Sequence, residues 1–240
     1  DNGQGKLDLI WGGTPGLDVV YASGTSTTLS LYVLIENTTP ALRLHSLGTI
    51  TGKVILYGFD SLDVLAGEFL RWNAMEIHGG EGDDVIVGGA MGDLLYGGPG
   101  NDTIIGGTQS VDGHDLLSGG EGRDTLFGHL GADFLHGGRG EDLLISDRFV
   151  FSDVAAGVLR ISNEWKSDRS YAERMNNILG ITSTGLNGSW ILSPSNTIID
   201  DGEVDFLFGD VGTDWFFFNF DEDLRGDTIE IDEEETDSDP

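Results

Sequence analysis

The sequence predicts a mainly β chain: a parallel β-roll, or β-helix solenoid, of nonapeptide repeats, with an N-terminal β region and a small two-helix insertion. Three observations predict it. From Gly79 to Ile145 the chain repeats in nines, as GGEGDDVIV, GGAMGDLLY, GGPGNDTII, GGTQSVDGHDLLS, GGEGRDTLF, GHLGADFLH and GGRGEDLLI, and so short a period marks a solenoid. Each unit follows Gly-Gly-x-Gly-x-Asp-x-apolar-x, so that six residues suit a tight turn and three alternate as a strand. After Ile145 the apolar spacing changes to three and four, the period of a helix.

Two units close one coil of about eighteen residues, so alternate units stack on opposite sides. The eighth positions, Ile86, Leu95, Ile104, Leu117, Leu126, Leu135 and Leu144, then point inward as a thin core. The aspartates stack too. Asp84, Asp102, Asp124 and Asp142 form one row and Asp93, Asp115 and Asp133 the other. Neighbours in a row lie about 4.8 Å apart, the spacing of adjacent strands. Unscreened carboxylates at that distance repel by roughly 1 to 3 kcal/mol per pair, a large cost against the ~5 to 15 kcal/mol that holds a domain together. A cation between them removes it.

The same turns offer backbone carbonyls. Candidate metal ligands beside the aspartates are therefore Gly79, Glu81 and Gly82, then Gly97, Pro99 and Gly100, then Gly119, Glu121 and Gly122, and finally Gly137, Arg139 and Gly140. This oxygen-only set, with no thiol or histidine at the repeat positions, suits Ca²⁺ better than Mg²⁺ or Zn²⁺. About five ions in the central roll would cancel its excess of acids.

These turns closely resemble the RTX family, the glycine-rich, hemolysin-type calcium-binding repeats of secreted bacterial proteins. The resemblance implies a parallel β-roll that binds Ca²⁺ between successive turns, unfolded at low calcium and folded after export. Departures are local. Met91 stands where the fourth-position glycine belongs and His129 where the second does, and Gln109 to Asp112 lengthen one turn.

Upstream, residues 1–57 read as an N-terminal β region, with strands expected at 7–11, 18–23, 28–36, 42–46 and 53–58. Asp18, in a broken echo of the repeat, reads as a turn residue before it reads as a ligand. YGFDSLDVLAG at 57–67 is the better echo and makes Asp63 a candidate ligand; the roll is thus assigned 58–145, with Glu76, Ile77 and His78 in one of its strands. Residues 146–180 form the helical insertion. One helix carries Val154, Val158, Ile161 and Trp165, with Ser152 or Asp153 as cap, and the next carries Tyr171, Met175, Ile178 and Leu179, with Ser167 or Asp168 as cap and Gly180 as stop. Roll turns resume over 181–220, where Asp205 and Asp214 are further candidate ligands. The order of RTX units, helix, DDG step and GTDWFF strand is also similar to the terminal region of very large repeat-bearing bacterial surface proteins, which implies location rather than chemistry. Residues 221–240 are an acidic tail, in which DEDLRGDTIEID resembles an EF-hand loop except that Arg225 occupies a ligand position and no Glu closes it.

The chain holds 42 acidic against 12 basic residues, a formal charge of −30, and no cysteine. That balance argues against nucleic acid or an anionic membrane as partner, and no apolar run reaches the length of a membrane span. The start at Asp1, without a signal peptide, reads as a piece of something longer. No HExxH helix, GxSxG elbow or Walker loop is present. His78 and His136 fall on one sheet face, as surface positions. The expectation is a non-enzymatic, calcium-binding structural or adhesive segment of a secreted, extracellular bacterial surface or matrix protein. The alternatives are a secretion and stability module of an exported hydrolase whose catalytic domain lies outside this chain, and a glycan-binding segment. Outward ladders of Val87, Ile105, Phe127 and Ile145 on one face, and of Leu94, Leu116 and Phe134 on the other, predict cover by the helices or N-terminal strands on one side. On the other side they predict self-association or a neighbouring surface-protein domain.

Overall fold

The computed structural model describes residues 9–13, 16–25, 28–35, 42–44, 52–108, 113–151, 153–193, 197–199, 201–217 and 228–230. Its strands are β1 (Leu9–Gly12), β2 (Asp18–Thr25), β3 (Thr28–Ile35), β4 (Leu42–Leu44), β5 (Val54–Asp60), β6 (Val64–Phe69), β7 (Met75–Glu81), β8 (Val85–Val87), β9 (Leu94–Pro99) and β10 (Thr103–Ile105). There follow β11 (Leu116–Glu121), β12 (Thr125–Phe127), β13 (Phe134–Arg139), β14 (Leu143–Ile145), β15 (Arg148–Phe149), helices α1 (Val154–Trp165) and α2 (Tyr171–Ile178), β16 (Ile198–Ile199), β17 (Phe206–Val211), β18 (Trp215–Phe217) and β19 (Thr228–Glu230).

The chain winds between two sheets. One has the order β1-β5-β7-β9-β11-β13-β17-β19 and is parallel throughout; the other runs β18-β14-β12-β10-β8-β6-β2-β3-β4 and is parallel as far as β2. The parallel β-solenoid predicted from the repeats is therefore the architecture. Register follows the repeat, with Ile86, Ile104, Leu126 and Leu144 opposite one another in one sheet and Ile77, Leu95, Leu117 and Leu135 in the other. These eighth positions are fully buried between the sheets, because alternation on a strand sends every second side chain inward.

The same two sheets reach beyond 58–145 on both sides. β1 pairs with β5 and β2 with β6, so part of the N-terminal β region forms a coil of the roll, with β3 and β4 added antiparallel at its edge. Downstream, β17 pairs directly with β13 and β18 with β14. The insertion between them leaves and returns through an antiparallel pair, Phe149 opposite Ile198 and Arg148 opposite Ile199.

Both helices form where expected. Asp153 caps α1, accepting from the Ala156 N–H, while Ser152 lies outside the described residues. The second cap differs from the expectation: Ser170, not Ser167 or Asp168, caps α2 in a reciprocal capping box with Glu173. Ser167 is held by the preceding helix, its hydroxyl donating to the Glu164 carbonyl, so the chain needs three more residues to turn. Gly180 takes φ +71° just after α2, the left-handed conformation that ends a helix.

The helices cover one sheet. Ile105, Phe127 and Ile145 are buried against Val158, Ile161, Trp165 and Ile178. The opposite face keeps its ladder partly open, with Phe134 38% and Phe206 42% exposed and Leu94 and Leu116 half-buried. Beside that ladder Tyr57, His78 and Tyr96 stack at 4.7 and 4.8 Å. Among the described residues no helix is long and apolar enough to cross a membrane.

Candidate metal centres

The turns joining the two sheets stack on either side of the roll, and the first position of each must be small. A Cβ on Gly97 would run into Oδ2 of Asp102 and the Gly119 carbonyl, and Gly58, Gly79, Gly119 and Gly209 meet their own aspartates in the same way. The second position turns through positive φ, +120° at Gly98 and +122° at Gly120, a region open to glycine at little cost. Degenerate units keep positive φ with other residues, Phe59, His129 and Asp210 at the second position at 99°, 87° and 68°, and Ser61 at the fourth at 83°. The register of neighbouring coils therefore imposes the turn even where glycine is missing.

Each turn folds its aspartate back so that one oxygen faces the preceding coil. Along the first row, the backbone N–H of Asp18 donates to Oδ1 of Asp63 at 2.7 Å, Asp63 to Asp84 at 2.7 Å, Asp84 to Asp102 at 2.8 Å, Asp102 to Asp124 at 2.7 Å, Asp124 to Asp142 at 2.8 Å and Asp142 to Asp214 at 2.8 Å. Along the second row, Met75 donates to Asp93 at 2.7 Å, Asp93 to Asp115 at 2.8 Å, Asp115 to Asp133 at 2.8 Å and Asp133 to Asp205 at 2.7 Å. Asp63 and Asp214 thus stand in the first row and Asp205 in the second. Asp18, read as a turn residue, joins the first row and is fully buried. Met75 stands where the second row would have begun with a carboxylate.

With Oδ1 so engaged, Oδ2 is left over. In Asp63, Asp84, Asp102 and Asp124 it is buried and has no hydrogen-bond partner. A carboxylate oxygen in that state is costly. Burial raises the carboxyl of Asp63 to about 6, of Asp84 and Asp93 to about 7, of Asp102 to about 8 and of Asp124 to about 9, the last helped by repulsion from Asp142 and Asp102. The donor set consists of hard oxygens, and a divalent cation of the calcium type fits it. Asp93 differs, since its Oδ2 accepts from Gly89 N–H at 2.5 Å; this is the unit in which Met91 replaces a glycine.

The third and fourth positions close the same turns. Carbonyls of Pro99, Glu121 and Arg139 accept from the N–H groups of Gly82, Gly100 and Gly122 at 2.9, 2.7 and 2.7 Å, which leaves each a second lone pair. Gly137 and Gly140 repeat the arrangement in the last regular turn, where Gly140 N–H donates to Val211 at 2.7 Å. The side chains of Glu121 and Arg139 point to solvent and pair at 3.7 Å. Gln109 to Asp112, Arg225 and the acidic tail after Glu230 lie outside the described residues, and of the EF-hand-like stretch only Thr228–Glu230 is described, as a strand.

One acidic cluster escaped the sequence reading. Asp147, Asp201 and Asp205 bring their carboxylate oxygens within 4.8 Å of one another at the seam where the insertion departs and returns, and Gly131 N–H donates to Asp201 at 2.8 Å. A signal existed: Ser146 and Asp147 fall where an eighth unit would have begun, and Asp201 belongs to the DDG step.

Comparison with known proteins agrees with this geometry over the regular turns. The family model of the RTX calcium-binding nonapeptide repeat (4 copies) matches residues 78–110 and 109–144. No curated protein and no solved structure matches the chain. Residues 78–144, in which buried aspartates recur once per turn on both sides of a parallel roll, are RTX calcium-binding nonapeptide repeats.

Proposed function

We propose that the chain is a calcium-gated structural and adhesive segment of an extracellular bacterial surface or matrix protein, without catalytic activity of its own. The observation that carries this reading is the row of buried Oδ2 atoms on Asp63, Asp84, Asp102 and Asp124, each lacking a hydrogen-bond partner. Asp84, Asp102, Asp124 and Asp142 on one side, and Asp93, Asp115 and Asp133 on the other, would hold the ions, with carbonyls of the first, third and fourth turn positions beside them. When bound, calcium supplies the positive charge that the stacked carboxylates lack. At low calcium the carboxylates oppose stacking of the coils and shift the chain towards open states. Asp63, Asp205 and Asp214 extend the rows beyond the regular repeats.

The half-open ladder of Leu94, Leu116, Phe134 and Phe206 supports lateral association of the calcium-loaded roll. The test is a Ca²⁺ titration of the purified chain followed by far-UV circular dichroism and light scattering together, with Mg²⁺ as control. The expected result is a rise of β signal and of particle mass with Ca²⁺ alone. A chain already folded without metal sinks the gating, and a folded chain that stays monomeric at high concentration sinks the assembly.

A further inference from the structure

We propose that Lys166 is a tethered counter-cation of the first aspartate row, one that supports the metal-free roll around Asp102 and weakens calcium binding in the gaps beside it. The inference deepens the calcium reading and rests on it. Lys166 is the C-cap of α1. Its Nζ donates to the Asn101 carbonyl at 2.9 Å and to Oγ1 of Thr103 at 3.0 Å, so the ammonium brackets Asp102. Neither acceptor carries charge, and the positive charge is therefore left to act on its surroundings.

Those surroundings are acidic. Burial lowers the pKa of Lys166, and the carboxylates of Asp83, Asp102, Asp124 and Asp84 around it oppose that shift in part. The other cations nearby are engaged elsewhere: Arg123 pairs with Glu141 at 3.0 Å, and Arg174 lies against the same carboxylate. The position of Lys166 is also fixed from several directions. Thr103 Oγ1 meets Ser162 Oγ of α1 at 2.6 Å, Trp165 Nε1 donates to the Glu141 carbonyl at 2.9 Å, and Arg123 donates to the Ser167 carbonyl at 3.0 Å. The end of α1 thus rests on three turns of the row.

A fixed positive charge beside bare carboxylates lowers their mutual repulsion, and the same charge repels a divalent cation entering between them. The coupling is reciprocal. Across a few ångströms of partly buried surface, it changes affinity on the order of tenfold.

The experiment compares the whole chain with Lys166→Met, which keeps the stem, Lys166→Arg, which keeps the charge, and Lys53→Met, which removes a charge paired with Glu76 elsewhere on the roll. Calcium affinity is read by calorimetry, and the metal-free state by circular dichroism. The expected result is that Lys166→Met binds one class of ions roughly tenfold tighter and holds less β structure without metal, while the Arg and Lys53 variants match the wild type. Equal affinity and equal metal-free signal in Lys166→Met overturn the proposal, as does the same shift from Lys53→Met. So does a Lys166→Met chain that stays unfolded in saturating calcium, because removing a competing charge must leave the loaded roll intact. Absence of calcium binding in the wild type sinks the calcium reading itself and is recognised in that trace alone.

Discussion

A carboxyl group in this roll can discharge its buried oxygen in two ways, by a proton or by a metal. For Asp84, Asp102 and Asp124 the folded pKa lies near 7, 8 and 9, above the ordinary 3.8. A group raised in this way contributes stability that is fully present below about pH 4 and is lost as pH rises through the folded values. The metal-free chain should therefore gain β signal on acidification from pH 9 towards 4. A metal-free spectrum that is flat across that window would count against the geometry. The rows were legible because each aspartate carries its glycines and its inward apolar residue with it. Asp18 was not, because its unit, GTPGLD, has lost a glycine, and only the register with Asp63 restores its place. Asp147 and Asp201 were hidden for another reason: fifty-odd residues of insertion separate two positions that a repeat count treats as unrelated.

At the scale of elements, the insertion holds itself together around a buried carboxylate. Glu164 is fully buried; it accepts from Arg169 at 3.1 Å, from Asn177 at 2.7 Å and from the Leu186 N–H at 2.5 Å, and so joins α1 to the turn before α2, the last turn of α2 and the loop beyond. Glu164→Ala strands those donors, and breaking a buried pair in this way costs roughly 3 kcal/mol or more. In a urea titration of the calcium-loaded chain, helical signal should then disappear well before β signal; simultaneous loss would mean that the helices and the roll unfold as one unit. Apolar spacing placed both helices correctly. It pointed to Ser167 or Asp168 as the cap and missed Ser170, an equally good capping residue, because Ser167 turns back to α1 and the chain caps α2 three residues later.

For the molecule as a whole, the two faces of the roll have different fates. One is sealed by α1 and α2, and the other shows Phe134 and Phe206 to solvent. Phe134→Ser with Phe206→Ser should abolish calcium-induced light scattering while leaving the calcium stoichiometry unchanged; undiminished scattering would place the contact elsewhere. Which face the helices choose was left open by the sequence, because both ladders are comparably apolar. Burial of Ile105, Phe127 and Ile145 follows from the seam at which the insertion leaves, where the pairing of β15 with β16 fixes both of its ends.

Parallel pairing in one unbroken order from β1 to β19 within the eight-stranded sheet also bears on how the roll would carry load. Tension applied between its ends runs along the stacking axis, across the strands, so coils peel off one at a time instead of shearing together. Each coil of 18 residues, the interval from Asp84 to Asp102, pays out about 60 Å of slack chain when it opens. Coils bridged by bound calcium would resist such opening longer than bare ones, because ligand binding to the closed coil adds to the work of opening it.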